Sequence, residues 1–160
     1  MAEGPANFFV VVALSVLHCL GFLLCEITST LSGDICFYWR MASRVCLAAF
    51  MFGGAALRMN KKLVKHLLVP IVPPPLPAHA CVYVSGIAEL VGGIVLLLPR
   101  FERMGASIIM LLLISVFPAN IYHAVSKQAQ KLTRIGPPAV YVRVPIQFLF
   151  CGWARWHMLV

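Results

Sequence analysis

CVYVSGIAELVGGIVLLLPRFERMGASIIMLLLISVFPANIYH, residues Cys81–His123, decides how this chain folds. Two apolar runs, Cys81–Leu98 and Met104–Ile121, are separated only by Pro99-Arg100-Phe101-Glu102-Arg103. Each run, at about 18 residues, makes a helix roughly 27 Å long, close to the hydrocarbon thickness of a bilayer. So short a charged connection sets the two helices side by side and antiparallel. One carboxylate, Glu89, lies about eight residues into the first of them. An acid at that depth is costly unless a neighbour receives it. The rest of the chain is therefore read for whatever answers Glu89.

Composition supports a membrane setting throughout. Of 160 residues, 61% are hydrophobic and 11% charged, and the mean hydropathy is +0.92. Soluble domains carry about 25% charged residues, so a water-soluble globule is excluded. The length suits a single membrane domain over 1–160, with four or five spans joined by short loops. The net charge of +8 does not indicate nucleic acid. Its basic residues sit between apolar runs, where they suit lipid headgroups and topology signals. The first seven residues lack the Lys or Arg of a signal peptide and the Arg-richness of a transit peptide, so Phe8–Leu31 reads as a retained span.

Five spans fit: Phe8–Leu31, Phe37–Arg58, the hairpin pair, and Ala139 to the end. Ser32-Gly33-Asp34 breaks the first. The basic run Arg58, Lys61, Lys62 and Lys65 follows the second and is expected along the headgroups, as a lipid or partner contact. Pro70 and Pro73-Pro74-Pro75-Leu76-Pro77 then end any helix, because proline lacks an amide donor. Lys127, Lys131 and Arg134 mark the next loop. With residue 1 on side A, seven basic residues fall on that side and five (Arg40, Arg44, Arg100, Arg103, Arg155) on side B, which favours a cytoplasm-equivalent side A. Tyr83, Tyr122 and Tyr141 fall at the A interface; Tyr38, Trp39, Trp153 and Trp156 fall at B, as aromatic belts should.

Counted from side A, Glu89 and Gln147 are both roughly 12 Å deep and Arg143 roughly 6 Å. Asn120 and His123 sit near the same end of their helix. Arg143, one turn from Gln147, is the expected partner of Glu89, since its long side chain can climb inward. Ser85, Gly92 and Gly93 beside Glu89 would admit another helix closely. Two readings stand for Glu89, Arg143, Gln147, Asn120 and His123. They pin the bundle by satisfying one another, or they form a proton- or ligand-handling site open to side A. His18, His66, His79 and His157 do not converge in depth, so no metal set is assigned, and no catalytic residue is assigned either. The cysteines (Cys19, Cys25, Cys36, Cys46, Cys81, Cys151) contain no CxxC pair and read as apolar packing. Cys25 and Cys36 flank the first turn, and a disulfide between them stays open.

The order VPPPLP (Val72–Pro77), VSGIAELVGGIVLLLPR (Val84–Arg100), VFPANIY (Val116–Tyr122) and VRVPIQFLFCGWARW (Val142–Trp156) resembles the DoxX-like membrane proteins. The likeness runs from about Arg44 to Trp156. It implies an all-α four-helix membrane bundle over 37–160, with 8–31 as an extra N-terminal span suited to docking on a larger assembly. Glu89, Asn120, Arg143 and Gln147 fall on that family's polar motif positions. Family members are associated with thiosulfate:quinone oxidoreduction, with thiol and superoxide defence complexes, and with maturation of other proteins. The expectation is thus an accessory or assembly subunit of a membrane-bound oxidoreductase or respiratory-type complex, with other membrane subunits as partners. A quinone-linked redox protein using Glu89 and Arg143 for proton delivery, and a chaperone for client subunits, are the alternatives. The lack of paired reactive cysteines argues against autonomous thiol chemistry. An organelle membrane of mitochondrial type, or a bacterial-type inner membrane, is favoured over the secretory route.

Overall fold

The computed structural model describes residues 33–159. The expected span Phe8–Leu31, with His18, Cys19 and Cys25, lies outside the described residues, as does the side chain of Cys36. Every regular element among the described residues is helical. In order they are α1 (Gly33–Leu57), α2 (Lys61–Leu63, continued by a π-helical turn Val64–Leu68 and a 3-10 turn Val69–Ile71), α3 (Ala78–Leu97), α4 (Glu102–Val125), α5 (Lys127–Thr133) and α6 (Ala139–Leu159). Three are long and apolar enough to cross a membrane: α1 over Phe37–Leu57, α3 and α4. Helix α6 is comparable in length at 21 residues, but Arg143, Gln147, Arg155 and His157 lower its hydropathy and keep it out of that set.

The chain divides into two compact units, Met1–Cys46 and Leu47–Val160. In the first, the described part is the start of α1, where the rings of Phe37 and Tyr38 meet edge to face at 5.8 Å. The second holds everything discussed below. Its hairpin is the expected one. Helix α3 starts behind Pro77, whose missing amide costs nothing at a helix N-terminus. The chain reverses over Leu98–Phe101 with Arg100 in the left-handed region, φ 71. Near that turn α3 and α4 touch backbone to backbone. A Cβ on Gly105 would overlap the Leu96 main chain, and one on Gly92 would come within 2.9 Å of Ile109 Cγ1.

Helix α4 packs on both α3 and α6, with Phe117 and Phe148 edge to face at 5.5 Å. The last turns of α1, from Leu47, close the other side. Phe50 meets Phe150 and Trp153 at 5.4 and 6.0 Å, and Phe52 lies over Gly93. Trp153, expected at an aromatic belt, is instead buried and stacked on Phe150. Its large ring packs between α1 and α6.

Two short helices cap one end. Asn60 Oδ1 accepts from the amides of Lys62 (3.0 Å) and Leu63 (3.3 Å) and starts α2. Ser126 Oγ accepts from the Ala129 amide at 3.3 Å and starts α5, in a stretch expected to be loop. The segment after α2 is anchored by buried Val64 and Ile71 and touches α5. Lys61, Lys62, Lys65, Lys127, Lys131 and Arg134 are all exposed on these two pieces, giving one basic end.

The unit carries large apolar side chains on its outside and several polar ones within its core. Val84, Ile87, Leu111, Ile114 and Phe148 are 58–65% exposed, while His123, Thr133, Gln147 and His157 are buried. In water such an outward face would drive association, whereas lipid tails satisfy it without cost.

Candidate functional site

Glu89 is met by Arg58, not by Arg143. Arg58, just past α1, donates from Nη1 to Glu89 Oε2 and to the Gly54 carbonyl (2.8 Å), and from Nε to the Val82 carbonyl (3.1 Å). Both side chains are about 85% withdrawn from the surface, at 15% and 14% exposure. Two glycines make the slot. A Cβ on Gly54 would stand 2.6 Å from Glu89 Oε2, and one on Gly86 would stand 2.5 Å from Arg58 Cδ. Counting residues placed Arg58 among the headgroups, but its long stem folds back one turn and delivers the charge inside. Glu89→Gln keeps an acceptor for Arg58 and is expected to be much milder than Glu89→Leu, which leaves the guanidinium facing methyl groups. Comparing monodisperse detergent-extracted yield of the two variants checks this.

Asn120 and Gln147 do come together, as a pair separate from Glu89. Asn120 Nδ2 donates to Gln147 Oε1, and Gln147 Nε2 donates to the carbonyl of Leu113. Pro118 inside α4 lacks the amide that would bond the Ile114 carbonyl, and Gln147 adds a cross-helix donor at the neighbouring Leu113 carbonyl. Gln147→Leu is expected to cost about 1–3 kcal/mol by leaving the Asn120 amide without its acceptor. The Asn120→Leu, Gln147→Leu double variant should cost less than the sum of the singles, read as thermal midpoints in detergent.

Arg143 and His123 form the third group. Arg143 Nη1 donates to His123 Nδ1 at 3.2 Å, and His123 Nε2 meets Thr133 Oγ1 at 3.0 Å. Arginine only donates, so Nδ1 is the acceptor and the proton sits on Nε2, directed at Thr133. The Thr133 hydroxyl donates onward to the Ala129 carbonyl at 2.9 Å. The chain thus ties α6 through α4 to α5.

These groups border one cavity of about 610 Å³. The far halves of α3 and α4 form its walls, and the turn from Leu68 to Leu76 lines it as well. Arg58, Glu89, Asn120 and Arg143 supply its polar lining, and Ser85, Ala88, Ile108 and Leu112 are among its other walls. The hairpin is shut at its turn by Gly92 and Gly105, so the space lies where the helices diverge. Val84, Leu111 and Ser115 line the cavity and are exposed, so it opens sideways between α3 and α4. His123 and Gln147 stand behind the wall, positioning Arg143 and Asn120.

The remaining expectations fall away from this cavity. Lys61, Lys62 and Lys65 are exposed on the basic end, while His66 and His79 are exposed flanks of the proline turn. Among the described residues no three His, Cys, Asp or Glu converge as a metal set. Cys46, Cys81 and Cys151 are free thiols. One pair went unforeseen. Buried His157 Nδ1 lies 3.3 Å from Glu102 Oε1, joining the start of α4 to the end of α6. The two residues fall on the same side, side B, in the span layout, which was the available signal.

The class defined by this fold and site is, among the described residues, a helical protein with three helices long and apolar enough to cross a membrane and a largely apolar cavity carrying a few polar groups. Residues 47–158 match the family described as Domain of unknown function (DUF8561), and the chain belongs to that family. The match opens at the residue where the second compact unit begins. No curated protein and no solved structure matches the chain.

Proposed function

We propose that this chain is a multi-pass membrane protein of DoxX-like architecture, serving as an accessory subunit of a membrane-bound oxidoreductase by holding a bilayer-borne amphiphile. The observation that carries the reading is the sideways-opening cavity with polar groups along its inner wall. Its volume, about 610 Å³, falls within the roughly 300–1,000 Å³ of small-molecule sites. An opening between two lipid-facing helices admits molecules that travel in the bilayer, such as a quinone or a lipid. Helix α6 counts as the fourth span in this reading, with Gln147 and His157 turned inward and Phe148 turned out. The exposed lysines on α2 and α5 favour the negatively charged leaflet of an organelle or bacterial-type inner membrane.

The test is native mass measurement of the particle extracted in mild detergent. The expected result is a retained amphiphile, present in the wild type and lost in Ala88→Phe, together with stoichiometric membrane partner subunits. A bare chain in both variants would remove the cavity reading. A partner that associates only transiently would favour the chaperone alternative.

A further inference from the structure

We infer that the amphiphile carries a single anionic head, seated on Arg143, with its apolar chain lying between α3 and α4. This rests on the cavity reading above and narrows it.

The carboxylate side chains of the second unit are Glu89 and Glu102. Arg58 takes Glu89, and Glu102 faces His157. Glu102 opens α4 while His123, the partner of Arg143, closes it, a separation of about 30 Å along a helix of this length. Among the described residues of the unit, Arg143 therefore has no acid beside it. Its side-chain polar contact among the described residues is a neutral imidazole nitrogen, and it lines the cavity. A half-buried cation beside mostly apolar side chains calls for a counterion, and the planar guanidinium suits a carboxylate or a phosphate monoester through paired N–H donors.

Position agrees with charge. His123, fixed on both ring nitrogens, stops the guanidinium from turning away. The apolar stretch past Ile108 and Leu111 extends from Arg143 toward the sideways opening, where an acyl chain can emerge among lipid tails. The basic end formed by α2 and α5 concentrates anionic amphiphiles at the nearby surface. A quinone head presents neutral carbonyls and would leave Arg143 without its counter-charge.

Binding of radiolabelled oleate, oleoyl lysophosphatidic acid, oleyl alcohol and decylubiquinone is measured on the full chain in phosphatidylcholine nanodiscs, with empty nanodiscs subtracted. Oleate or the lysophosphatidic acid should bind saturably and about tenfold or more tighter than the alcohol or the quinone, the scale of one charge-assisted contact. The better of the two anions identifies a carboxylate or a phosphate head. Arg143→Gln should erase the preference while leaving alcohol binding unchanged, and Arg143→Lys should keep most of it. Ala88→Phe should block every ligand. Saturable binding with no anion preference, or a preference surviving in Arg143→Gln, overturns the anionic head while the cavity stands. No saturable binding of any of the four overturns both. If Arg143→Gln does not fold, the wild-type ratio and the lysine variant decide.

Discussion

Arg58→Met is expected to be the most damaging single change in the second unit. It removes the donor that reaches Glu89 and leaves a carboxylate, 14% exposed, among apolar side chains. Breaking a buried pair by removing one partner costs about 3–5 kcal/mol, because the surviving charge is uncompensated. The carbonyls of Gly54 and Val82 lose a donor at the same time. Most of the protein should be lost from the monodisperse fraction after extraction. The Arg58→Met, Glu89→Leu double variant should recover much of that loss, since an apolar pair leaves no buried charge. A double variant no better than Arg58→Met alone would show that the arginine acts through its backbone contacts instead.

Glycine substitutions should sort sharply by position. Gly105→Val places a branched side chain where even a single Cβ overlaps the Leu96 backbone, and backbone cannot yield as a side chain can. The hairpin would have to separate at its turn, at a cost of about 3 kcal/mol or more, beyond ordinary overpacking. Gly53→Ala, by contrast, meets nothing within 4 Å and sits inside α1. It should be neutral or stabilising by up to about 1 kcal/mol, from helix propensity alone. Thermal unfolding of the two purified variants beside wild type measures both. Gly92, like Gly105, lies at the α3–α4 seam, whereas Gly53 faces open space.

Periodicity and hydropathy made the helices legible. The hairpin needs only two apolar runs and five residues between them, and α3, α4 and α6 begin or end within a few residues of the expected limits. The demand that Glu89 be answered was legible too, because the cost of a buried acid does not depend on the partner. The partner's identity was not. Depth counted along each helix treats a residue at a span end as a headgroup residue, and Arg58 stands at such an end. Its reach is set by side-chain length and by the space that Gly54 and Gly86 leave. Those glycines lie one turn before Arg58 and Glu89 respectively, a spacing that marks a cleared slot once both helices are considered together. Likewise α5 gives little apolar signal. It forms because Ser126 caps it and because Ala129 and Thr133 are buried under it.

The cavity follows from the same local facts. Close approach at Gly92 and Gly105 fixes one end of the hairpin, while the Arg58–Glu89 pair and the Leu68–Leu76 turn occupy the other. Residues between them cannot meet across the gap, so the space is a consequence of where small and large side chains fall.

The pairing of Glu89 is measured most directly by solid-state NMR on protein labelled at glutamate 13Cδ and arginine 15Nη, with carbon–nitrogen dipolar recoupling in a lipid bilayer. The expected result is strong dephasing of the Glu89 carboxyl signal, abolished in Arg58→Lys and unchanged in Arg143→Lys. Dephasing that survives Arg58→Lys but disappears in Arg143→Lys, or a Glu89 signal with no arginine contact at all, would contradict the account.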